Sequence, residues 1–359
     1  MQSNNNIKMK KDWMIKESEL DDDQIKVLTA TLDKSCIVSG CAGSGKSVLA
    51  LIKAQRIQKE RGNDYEIIVY TKALCRYMES GRKALGLNNP FYYYWKWKNK
   101  DNKPMADYII VDEIQDFTSE EIQEFINAAR KNFFFFGDTA QSIYDGLKVT
   151  VALEDIGYLL PQGNKPKMSE LYRNYRLPIQ VAKFVQYVGV GLNPFEESTY
   201  KNAGGDDSIP HVLQYESPIE QIEAIKRIIG DRLTDAAILL PHNEHVKEVG
   251  KILTSLEVNY EQQYRDREDY RNSKDNLDFN TSNLKLLTYH SAKGLQFETV
   301  FLPLLETFDV EAKRKALYVA MTRTYKQLYI MYSGNLPNVL ADIPAELYTK
   351  KEVEEIEDI

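Results

Sequence analysis

Short runs of apolar residues alternate with longer amphipathic segments along most of the chain. Short, continuous apolar runs bounded by glycine or polar residues are typical of buried strands, whereas apolar positions three and four residues apart are typical of helices. In the first half, the predicted strands lie in KSCIVSG, YEIIVYT, ADYIIVDE and NFFFFGD. This alternation of strands and helices predicts an α/β fold with mainly parallel sheets.

The predicted helices lie between these runs. GKSVLALIKAQRIQKERG has helical periodicity and ends at Gly62, and SEEIQEFINAARK is a second helix with Ser119 as its predicted N-cap. After Pro178, the predicted elements are the strands HVLQYES, DAAILLP, LKLLTYH, ETVFLP and QLYIMYS and the helices PIEQIEAIKRIIGDRL and NEHVKEVGKILTSL. We therefore predict two domains in tandem, residues 1–177 and 178–345, followed by an acidic tail at 346–359.

Three further segments are interpreted from their composition. YKNAGGDDSIP is rich in turn-forming residues and marks a boundary, and YRDREDYRNSKDNLDFNTSN is long and charged, which predicts an exposed or mobile connection. The aromatic segment FYYYWKWKNK begins at Phe91. Its rings suit either a buried strand or, with the lysines, a platform that stacks on nucleic-acid bases, and composition favours the strand.

Composition narrows the class of protein. The chain has 359 residues, of which 43% are hydrophobic and 28% charged, which is typical of about two soluble domains. No apolar run approaches the roughly 18 residues that a membrane-spanning helix needs, and the polar N-terminus lacks the apolar stretch of a secretory signal. We therefore expect a cytoplasmic protein without a membrane partner.

Cysteine content and charge add two limits. The three cysteines form no C-x-x-C pair, so neither a zinc site nor a disulfide framework is predicted. A net charge of -7 excludes a globally basic nucleic-acid coat. A local basic groove is still compatible with this balance.

The segment GCAGSGKS, from Gly40 to Ser47, fits the phosphate-binding loop pattern G-x-x-x-x-G-K-S between a strand and a helix. In such a loop the backbone amides point at phosphate oxygens, and the helix N-terminus adds positive potential. Lys46 would reach the β- and γ-phosphates, and the Ser47 hydroxyl would bind Mg²⁺. The predicted nucleotide-binding residues of the loop are Cys41, Ala42, Gly43, Ser44, Gly45, Lys46 and Ser47.

A second motif supplies the acidic groups that hydrolysis requires. YIIVDEIQDF places Asp112 and Glu113 at the end of an apolar strand. Asp112 suits the magnesium shell, and Glu113 suits the polarisation of the attacking water. Together with the loop, this pair predicts hydrolysis of ATP or another nucleoside triphosphate, with Mg²⁺ as the metal.

Six motifs occur in a fixed order along the chain: GCAGSGKS, VDEIQD, GDTAQSIY, NYR, TYHSAKGLQFETVFLP and LYVAMTRT. Their order resembles that of the superfamily 1 helicases of the UvrD/Rep/PcrA type, from about Gln24 to about Ser333. The resemblance implies two RecA-like P-loop NTPase domains in tandem. It also implies ATP and Mg²⁺ as cofactors and single-stranded DNA as the partner, with RNA as an alternative.

The resemblance assigns roles around the nucleotide. Gln24 looks like the glutamine that reads the adenine edge, and Tyr175 resembles the tyrosine that stacks on adenine. Arg176 resembles the arginine directed at the γ-phosphate, and Arg323 resembles an arginine finger supplied by the second domain. Gln296 stands where many relatives have an acid, which implies an altered ribose contact. Closure of the two domains on ATP would then convert hydrolysis into hinge motion.

Other positions resemble those that connect the nucleotide with the nucleic acid. Asp138 and Gln141, in GDTAQ, match positions that couple the γ-phosphate to the nucleic-acid site. His290 and Lys293, with Ser291 between them, lie in the motif that links the strand groove to the nucleotide in relatives.

The chain departs from the family in its insertions and in its base-stacking rings. Relatives carry a helical insertion in each motor domain, and this sequence leaves no room for either. Lys72 replaces an early ring, and the aromatic residue that usually follows QSIY is absent, which leaves Tyr144 as the ring of that motif. Trp95 or Trp97 is a candidate substitute, because the chain emerges from the predicted strand at Tyr92–Tyr94 onto the face expected to meet nucleic acid.

Two functions remain open from the sequence. The first is an ATP-dependent translocase or helicase that moves 3′-to-5′ on single-stranded DNA, a polarity implied by the resemblance alone. The second is a nucleic-acid-responsive ATPase switch that controls a partner such as a nuclease, as in phage defence. A P-loop kinase or GTPase is disfavoured by VDEIQD and AMTRT together.

Overall fold

The strands of the chain form two large sheets that belong to different structural units. The computed structural model describes residues 14, 17–101, 103–143, 148–161, 165–230, 235–266 and 268–351. The first unit comprises Met14–Arg176 and Glu196–Asn202, and the second comprises Leu177–Phe195 and the chain from Ala203 onwards. The chain therefore leaves the first unit at Leu177, returns to it at Glu196 and leaves it again at Ala203, a path that the sequence pattern does not predict.

The first unit is built on a parallel sheet. The strands in chain order are β1 (Cys36–Gly40), β2 (Tyr65–Val69), β3 (Phe91–Tyr93), β4 (Ala106–Asp112), β5 (Ala129–Gly137) and β6 (Lys167–Leu171). Their spatial order is β3-β2-β4-β5-β1-β6, and every neighbouring pair is parallel. All carboxyl ends of these strands therefore lie at one edge of the sheet, which is the edge where ligands bind in such folds.

Five helices belong to the first unit: α1 (Asp22–Thr29), α2 (Lys46–Arg61), α3 (Lys72–Ala84), α4 (Tyr94–Lys98) and α5 (Ser119–Ala128). The predicted N-cap of α5 is wrong by one residue. Thr118 caps this helix by accepting a hydrogen bond from Glu121 N, and the Glu121 side chain accepts one from Thr118 N in return. This reciprocal arrangement is a capping box, and it satisfies two backbone donors at the helix start.

The aromatic segment from Phe91 divides between strand and helix. Phe91–Tyr93 form β3 as predicted, whereas Tyr94 already begins the short helix α4. The rings of Tyr94 and Trp97 pack on Phe125 of α5, with centroid separations of 5.9 Å and 5.1 Å. The buried interpretation therefore holds for β3 and for the inner face of α4.

The second unit contains a larger sheet, in the order β12-β11-β13-β10-β14-β15-β9-β16. Its strands are β9 (His211–Tyr215), β10 (Ala236–Leu240), β11 (Tyr260–Tyr264), β12 (Lys274–Asp275), β13 (Leu284–Thr288), β14 (Phe297–Leu302), β15 (Thr324–Ser333) and β16 (Thr349–Lys351). Its helices are α6 (Ile179–Gln186), α7 (Pro218–Ile229), α8 (Asn243–Ser255), α9 (Arg314–Met321) and α10 (Asn338–Ala341). All pairs are parallel except the edge pair β11–β12. The prediction of an α/β fold with mainly parallel sheets is confirmed. The remaining strands, β7 (Asn174–Pro178) and β8 (Tyr200–Asn202), pair with each other.

A buried ion pair joins two strands of the second unit. Glu261 of β11 and Lys285 of β13 are register partners, and their charged atoms are 3.2 Å apart with only 7% and 3% of the side chains exposed. The loop between β12 and β13 closes over them: Thr281 and Asn283 donate side-chain hydrogen bonds to Glu261, as does the Asp278 backbone N–H. The charged segment around this loop, predicted as an exposed or mobile connection, thus contributes the short strand β12 and satisfies a buried carboxylate.

Candidate nucleotide-binding site

The loop between β1 and α2 has the backbone shape that phosphate binding requires. Gly43 and Gly45 have φ values of +76° and +87°, in the left-handed region that favours glycine. A Cβ added at Gly43 would lie 2.5 Å from Asn174 Oδ1, so no larger residue fits there. The Lys46 ammonium donates hydrogen bonds of 2.7 Å and 2.8 Å to the carbonyls of Gly40 and Cys41. The loop therefore folds around its own lysine.

Asn174 fixes this loop from outside and was not among the predicted site residues. Its side chain donates to Ala42 O and accepts from Arg176 N, and the next backbone N–H, that of Tyr175, donates to Gly43 O at 3.0 Å. Tyr175 and Arg176 are thereby placed beside the loop. The motif NYR contains a signal for this role, because a buried asparagine can bind backbone groups on both sides.

Three charged groups of the site act on the Cys41 thiol. Burial raises the pKa of the Cys41 thiol to about 11; the charge of Asp138 adds to this rise, whereas the charges of Lys46 and Arg176 oppose it. A Cβ added at Gly43 would lie 2.9 Å from Arg176 Cβ, so Arg176, within β7, lies against the phosphate-binding loop. Asp138 directly follows β5, at the edge of the sheet that carries this loop.

Asp112 ends β4 and is fully buried. Burial raises the pKa of its carboxyl group, and the neighbouring charge of Glu113 raises it further, whereas Ser47 and Lys46 act in the opposite direction. Its Oδ2 is buried and accepts no hydrogen bond from the part of the chain that the structure describes. A buried carboxylate oxygen of this kind, next to a hydroxyl, fits Mg²⁺, which binds through one or two protein ligands and the phosphates.

The described residues contain no group of three or more His, Cys, Asp or Glu side chains that could hold a metal ion by themselves. A hydroxyl and a carboxylate, as in Ser47 and Asp112, suit a magnesium ion that also binds the phosphates of a nucleotide. None of the helices in the described ranges is long and apolar enough to cross a membrane.

Glu113 has an unusual backbone conformation for a residue with a side chain. Its φ is +58°, in the left-handed region, and the residue is buried. Such strain persists only where the surroundings hold it, and it is concentrated at functional sites.

At the end of the neighbouring strand β5, the side chain of Gln141 donates a 2.6 Å hydrogen bond to Asp138. The two predicted coupling residues are thus in direct contact with each other.

Gln24 and Tyr175 are connected through Asp21, a second residue that the prediction omitted. Gln24 donates from its side chain to Ser44 O at 3.0 Å and forms a capping box with Asp21 at the start of α1. The Asp21 carboxylate also accepts hydrogen bonds from the Tyr175 hydroxyl and from Arg173. Burial, followed by the contact with Asp21, raises the pKa of Tyr175 to about 12. The sequence signal for Asp21 is the spacing D-x-x-Q at a helix start.

Four predicted site residues belong to the second unit: His290, Lys293, Gln296 and Arg323. The Arg323 side chain is buried and donates from Nε to Val319 O at 2.8 Å and from Nη2 to Thr322 at 2.9 Å, so it binds the end of its own helix α9. His290 and Lys293 lie in the turn after β13, where Lys293 N donates to His290 O. Gln296 immediately precedes β14 and is partly exposed.

Two of the predicted nucleic-acid contacts, Trp97 and Lys293, are buried, and a third lies outside the described residues. Trp97 is 0% exposed and donates from its ring to Pro104 O at 3.2 Å, so its prediction as a stacking ring is wrong: it belongs to the core. Lys293 is also buried, so its ammonium is not presented at the surface in this conformation. Tyr144 lies outside the described residues.

Lys72 and Trp95 remain at the surface. Each follows the carboxyl end of a strand, β2 or β3, so both lie at the same edge of the sheet as the phosphate-binding loop. Trp95 is 53% exposed, with the Lys98 ammonium 5.8 Å from its ring centroid, and the Lys72 ammonium lies 5.4 Å from the ring of Tyr93. Exposed rings with adjacent ammonium groups form the kind of surface that binds single strands.

Two protein families match the sequence. The family described as the viral superfamily 1 RNA helicase core domain matches residues 36–236, more than half of the chain, and the UvrD-like helicase C-terminal domain matches residues 284–331. No curated protein shows a significant match.

Solved structures also match this chain. Mss116p bound to single-stranded RNA and AMP-PNP is 14% identical, with a TM-score of 0.52, covering 94% of this chain and 78% of that one. Pif1 helicase from Candida albicans is 15% identical, with a TM-score of 0.49 and coverage of 93% and 98%. The C-terminal domain of a possible DNA helicase from Lactobacillus plantarum WCFS1 is 20% identical, with a TM-score of 0.37 and coverage of 49% and 98%. At 14% identity, the likeness to Mss116p supports the fold alone.

Proposed function

We propose that ATP is the nucleoside triphosphate that this chain hydrolyses, and that the hydrolysis drives movement on single-stranded nucleic acid. The chain belongs to the superfamily 1 helicases, which hydrolyse nucleoside triphosphates. The observation that carries the proposal is the convergence of Lys46, Asp112 and Glu113 at one edge of the first sheet. Asp138 and Arg176 stand beside them. Because β1, β4 and β5 are parallel, the strand ends that carry Lys46, Asp112, Glu113 and Asp138 lie at one edge of the sheet, which supports a triphosphate site there.

The residues divide the chemistry among themselves. The loop amides and Lys46 would hold the phosphates, and Ser47 with Asp112 would hold Mg²⁺, which neutralises charge on the phosphate oxygens when bound. In the proposed hydrolysis, the oxygen of a water forms a bond to the γ-phosphorus while the bond to the bridging oxygen breaks. The proton of that water goes to Glu113. Arg176, and on the resemblance alone Arg323, would stabilise the charge that develops on the γ-phosphate.

The finer features of the proposal rest on the resemblance to UvrD, Rep and PcrA. We propose single-stranded DNA as the substrate and 3′-to-5′ as the direction of movement. RNA should be tested beside DNA, because one of the two matching families is described as an RNA helicase core domain. The surface formed by Lys72, Trp95 and Lys98 supports contact with a single strand, since rings stack on bases and ammonium groups meet phosphates.

Trp95→Ala is expected to lower the affinity for single-stranded DNA by about 5- to 150-fold, because one stacked base contributes roughly 1–3 kcal/mol. The change should leave thermal stability intact, since the ring is exposed. Fluorescence anisotropy with a labelled oligonucleotide measures the effect. The matched control is Tyr158→Ala, which removes another exposed ring of the first unit and should change nothing. Equal affinities of Trp95→Ala and Tyr158→Ala would show that Trp95 does not stack.

The second candidate is a nucleic-acid-responsive ATPase switch that controls a partner such as a nuclease. One observation favours it: within the described residues, only α3, β3 and α4 lie between β2 and β4, and only the helical turn Tyr270–Asn272 and β12 lie between β11 and β13. Neither place contains a helical insertion of the kind that contributes to duplex handling in larger relatives. Binding and hydrolysis without processive unwinding would fit this smaller structure.

One experiment separates the two candidates. Steady-state ATP turnover is measured with and without single-stranded DNA and RNA, beside strand displacement on duplexes with 3′ or 5′ tails. Stimulated turnover with displacement from a 3′ tail supports the translocase. Stimulation without displacement or movement supports the switch, and turnover that ignores every nucleic acid contradicts both.

A further inference from the structure

Gln115 lies two residues after Glu113, in the single helical turn Ile114–Asp116 that follows β4, and only 1% of it is exposed. Both ends of its side-chain amide are bound. Nε2 donates a 2.5 Å hydrogen bond to Glu113 Oε2, and Oε1 accepts a 3.0 Å hydrogen bond from Asp138 N. One side chain therefore bridges the end of β4, which carries the hydrolytic carboxylate, and the end of β5.

The backbone at Gly137 packs closely against this amide. A Cβ added at Gly137 would lie 2.5 Å from Gln115 Oε1 and 2.8 Å from Ile114 Cγ2. Gly137 is therefore required by the close approach of Gln115 rather than by an unusual φ. A buried amide that is satisfied at both ends and enclosed by backbone has one orientation, because every other orientation would leave a buried polar group unpaired.

Glu113 needs such support because its backbone is strained. Its φ of +58° lies in the left-handed region, a backbone conformation that a residue with a side chain keeps only where the surrounding structure holds it. The Asp116 N–H donates to Glu113 O at 3.1 Å and holds the backbone, whereas Gln115 holds the side chain. A carboxylate fixed at Oε2 presents its other oxygen in one direction, as proton transfer from a positioned water requires.

We propose that Gln115 is a positioning residue for hydrolysis, which orients the Glu113 carboxylate and ties it to the backbone of Asp138. The inference rests on the proposed role of Glu113 as the acceptor of the water proton. Because Asp138 in turn binds Gln141, a chain of hydrogen bonds runs from the hydrolytic carboxylate to the segment after β5. A displacement of that segment is transmitted to Glu113 through Gln115.

Two substitutions distinguish the two hydrogen bonds of Gln115. Gln115→Met keeps the length of the side chain and removes both bonds. Gln115→Glu still accepts the bond from Asp138 N but cannot donate to Glu113 while it is ionised. We expect both variants to lower kcat by about 10- to 100-fold, the cost of a carboxylate displaced by roughly 1 Å, with the KM for ATP changed less than about threefold.

Protonation supplies a rescue that a purely structural role would not show. The carboxyl group introduced by Gln115→Glu regains an O–H donor when it is neutral, so the turnover of this variant, relative to the wild type at each pH, should rise between neutral and mildly acidic pH. Gln115→Met should show no such rise. Gln123→Met is the matched control, because it makes the same change on α5, where the side chain donates a hydrogen bond to Asn127 at the surface. Its kcat should equal that of the wild type.

The outcomes separate this inference from the proposed function. Wild-type turnover by Gln115→Met, beside an inactive Glu113→Gln, overturns the role of Gln115 and leaves the site standing. Wild-type turnover by Glu113→Gln overturns the proposed site and this inference with it. If thermal melting shows that Gln115→Met does not fold, Gln115→Glu decides alone: a kcat near the wild-type value at neutral pH contradicts the proposal.

Discussion

Glu113→Gln is expected to lower ATP turnover by about 10²- to 10⁴-fold while ATP still binds, because the amide keeps the shape of the carboxylate but cannot accept a proton. Lys46→Ala should lower turnover at least as far and should weaken ATP binding as well, because the Lys46 ammonium lies in the centre of the phosphate-binding loop, bonded to Gly40 O and Cys41 O. Phosphate release and the binding of a fluorescent ATP analogue measure the two effects separately.

Lys59→Ala is the control for Lys46→Ala. Lys59 lies on the same helix, α2, but is exposed near its C-terminal end, so its removal should leave both turnover and ATP binding unchanged. Full turnover by Glu113→Gln would remove the assignment of the hydrolytic carboxylate. Tight ATP binding by Lys46→Ala would show that the loop holds phosphates mainly through its backbone.

The largest effect on stability is expected in the second unit, at the buried pair Glu261–Lys285. Lys285→Met should lower the free energy of unfolding of this unit by about 3–5 kcal/mol, because it leaves a buried carboxylate without its counter-charge. Glu261→Gln should also destabilise the unit, since the amide cannot accept all the hydrogen bonds that now satisfy both carboxylate oxygens. Urea denaturation measures both changes.

The matched control is Lys247→Met, which breaks the ion pair with Asp266 on the same unit, a more exposed pair in which 42% of the lysine side chain is accessible. Exposed pairs contribute little because water screens them, so its denaturation midpoint should stay near that of the wild type. Similar midpoints for Lys285→Met and Lys247→Met would show that the buried pair contributes no more than a surface pair.

The contribution of Glu261 also depends on pH. Burial opposes its ionisation, but hydrogen bonds from Thr281, Asp278 N and Asn283, together with the charge of Lys285, outweigh burial and hold its pKa below the ordinary value of 4.5. A carboxyl group whose pKa is lower in the folded state stabilises the fold above its unfolded pKa. That stabilisation is lost as the pH falls through the folded value. Lys285→Met should therefore flatten the fall in stability on acidification below about pH 4.5.

The strands that carry the site could be predicted because their signals are local. Long apolar runs such as IIVD and FFFFG can only be buried, and a glycine-rich loop between a strand and a helix has few alternatives. β6, β7 and β8 escaped prediction for the opposite reason. They are short strands at an edge or in a small sheet, with polar residues that solvent tolerates, so no hydrophobic pattern marks them.

The supporting residues of the site were harder to predict than the reacting ones. Asn174 and Gln115 act through hydrogen bonds to backbone groups 132 and 23 residues away in the chain, and only the folded sheet brings these partners together. Trp97 illustrates the converse error. Its neighbours in the sequence resemble those of Trp95, but a helical turn points one ring into the core and leaves the other at the surface.

The path of the chain through the first unit has a consequence for its modularity. β7 carries Asn174 and Arg176, and in the described part of the chain it pairs only with β8, which follows nineteen residues, Leu177–Phe195, that belong to the second unit. The Asn202 side chain on β8 donates a 2.6 Å hydrogen bond to Arg176 O. A fragment that stops at Arg176 would contain every residue of the phosphate-binding loop. It would still lack β8, the strand that pairs with β7 and so supports Asn174 and Arg176 beside the loop. The nucleotide-binding unit is therefore not an independent segment of the sequence. A fragment that contains the whole unit must extend to Asn202 and so includes Leu177–Phe195 of the second unit.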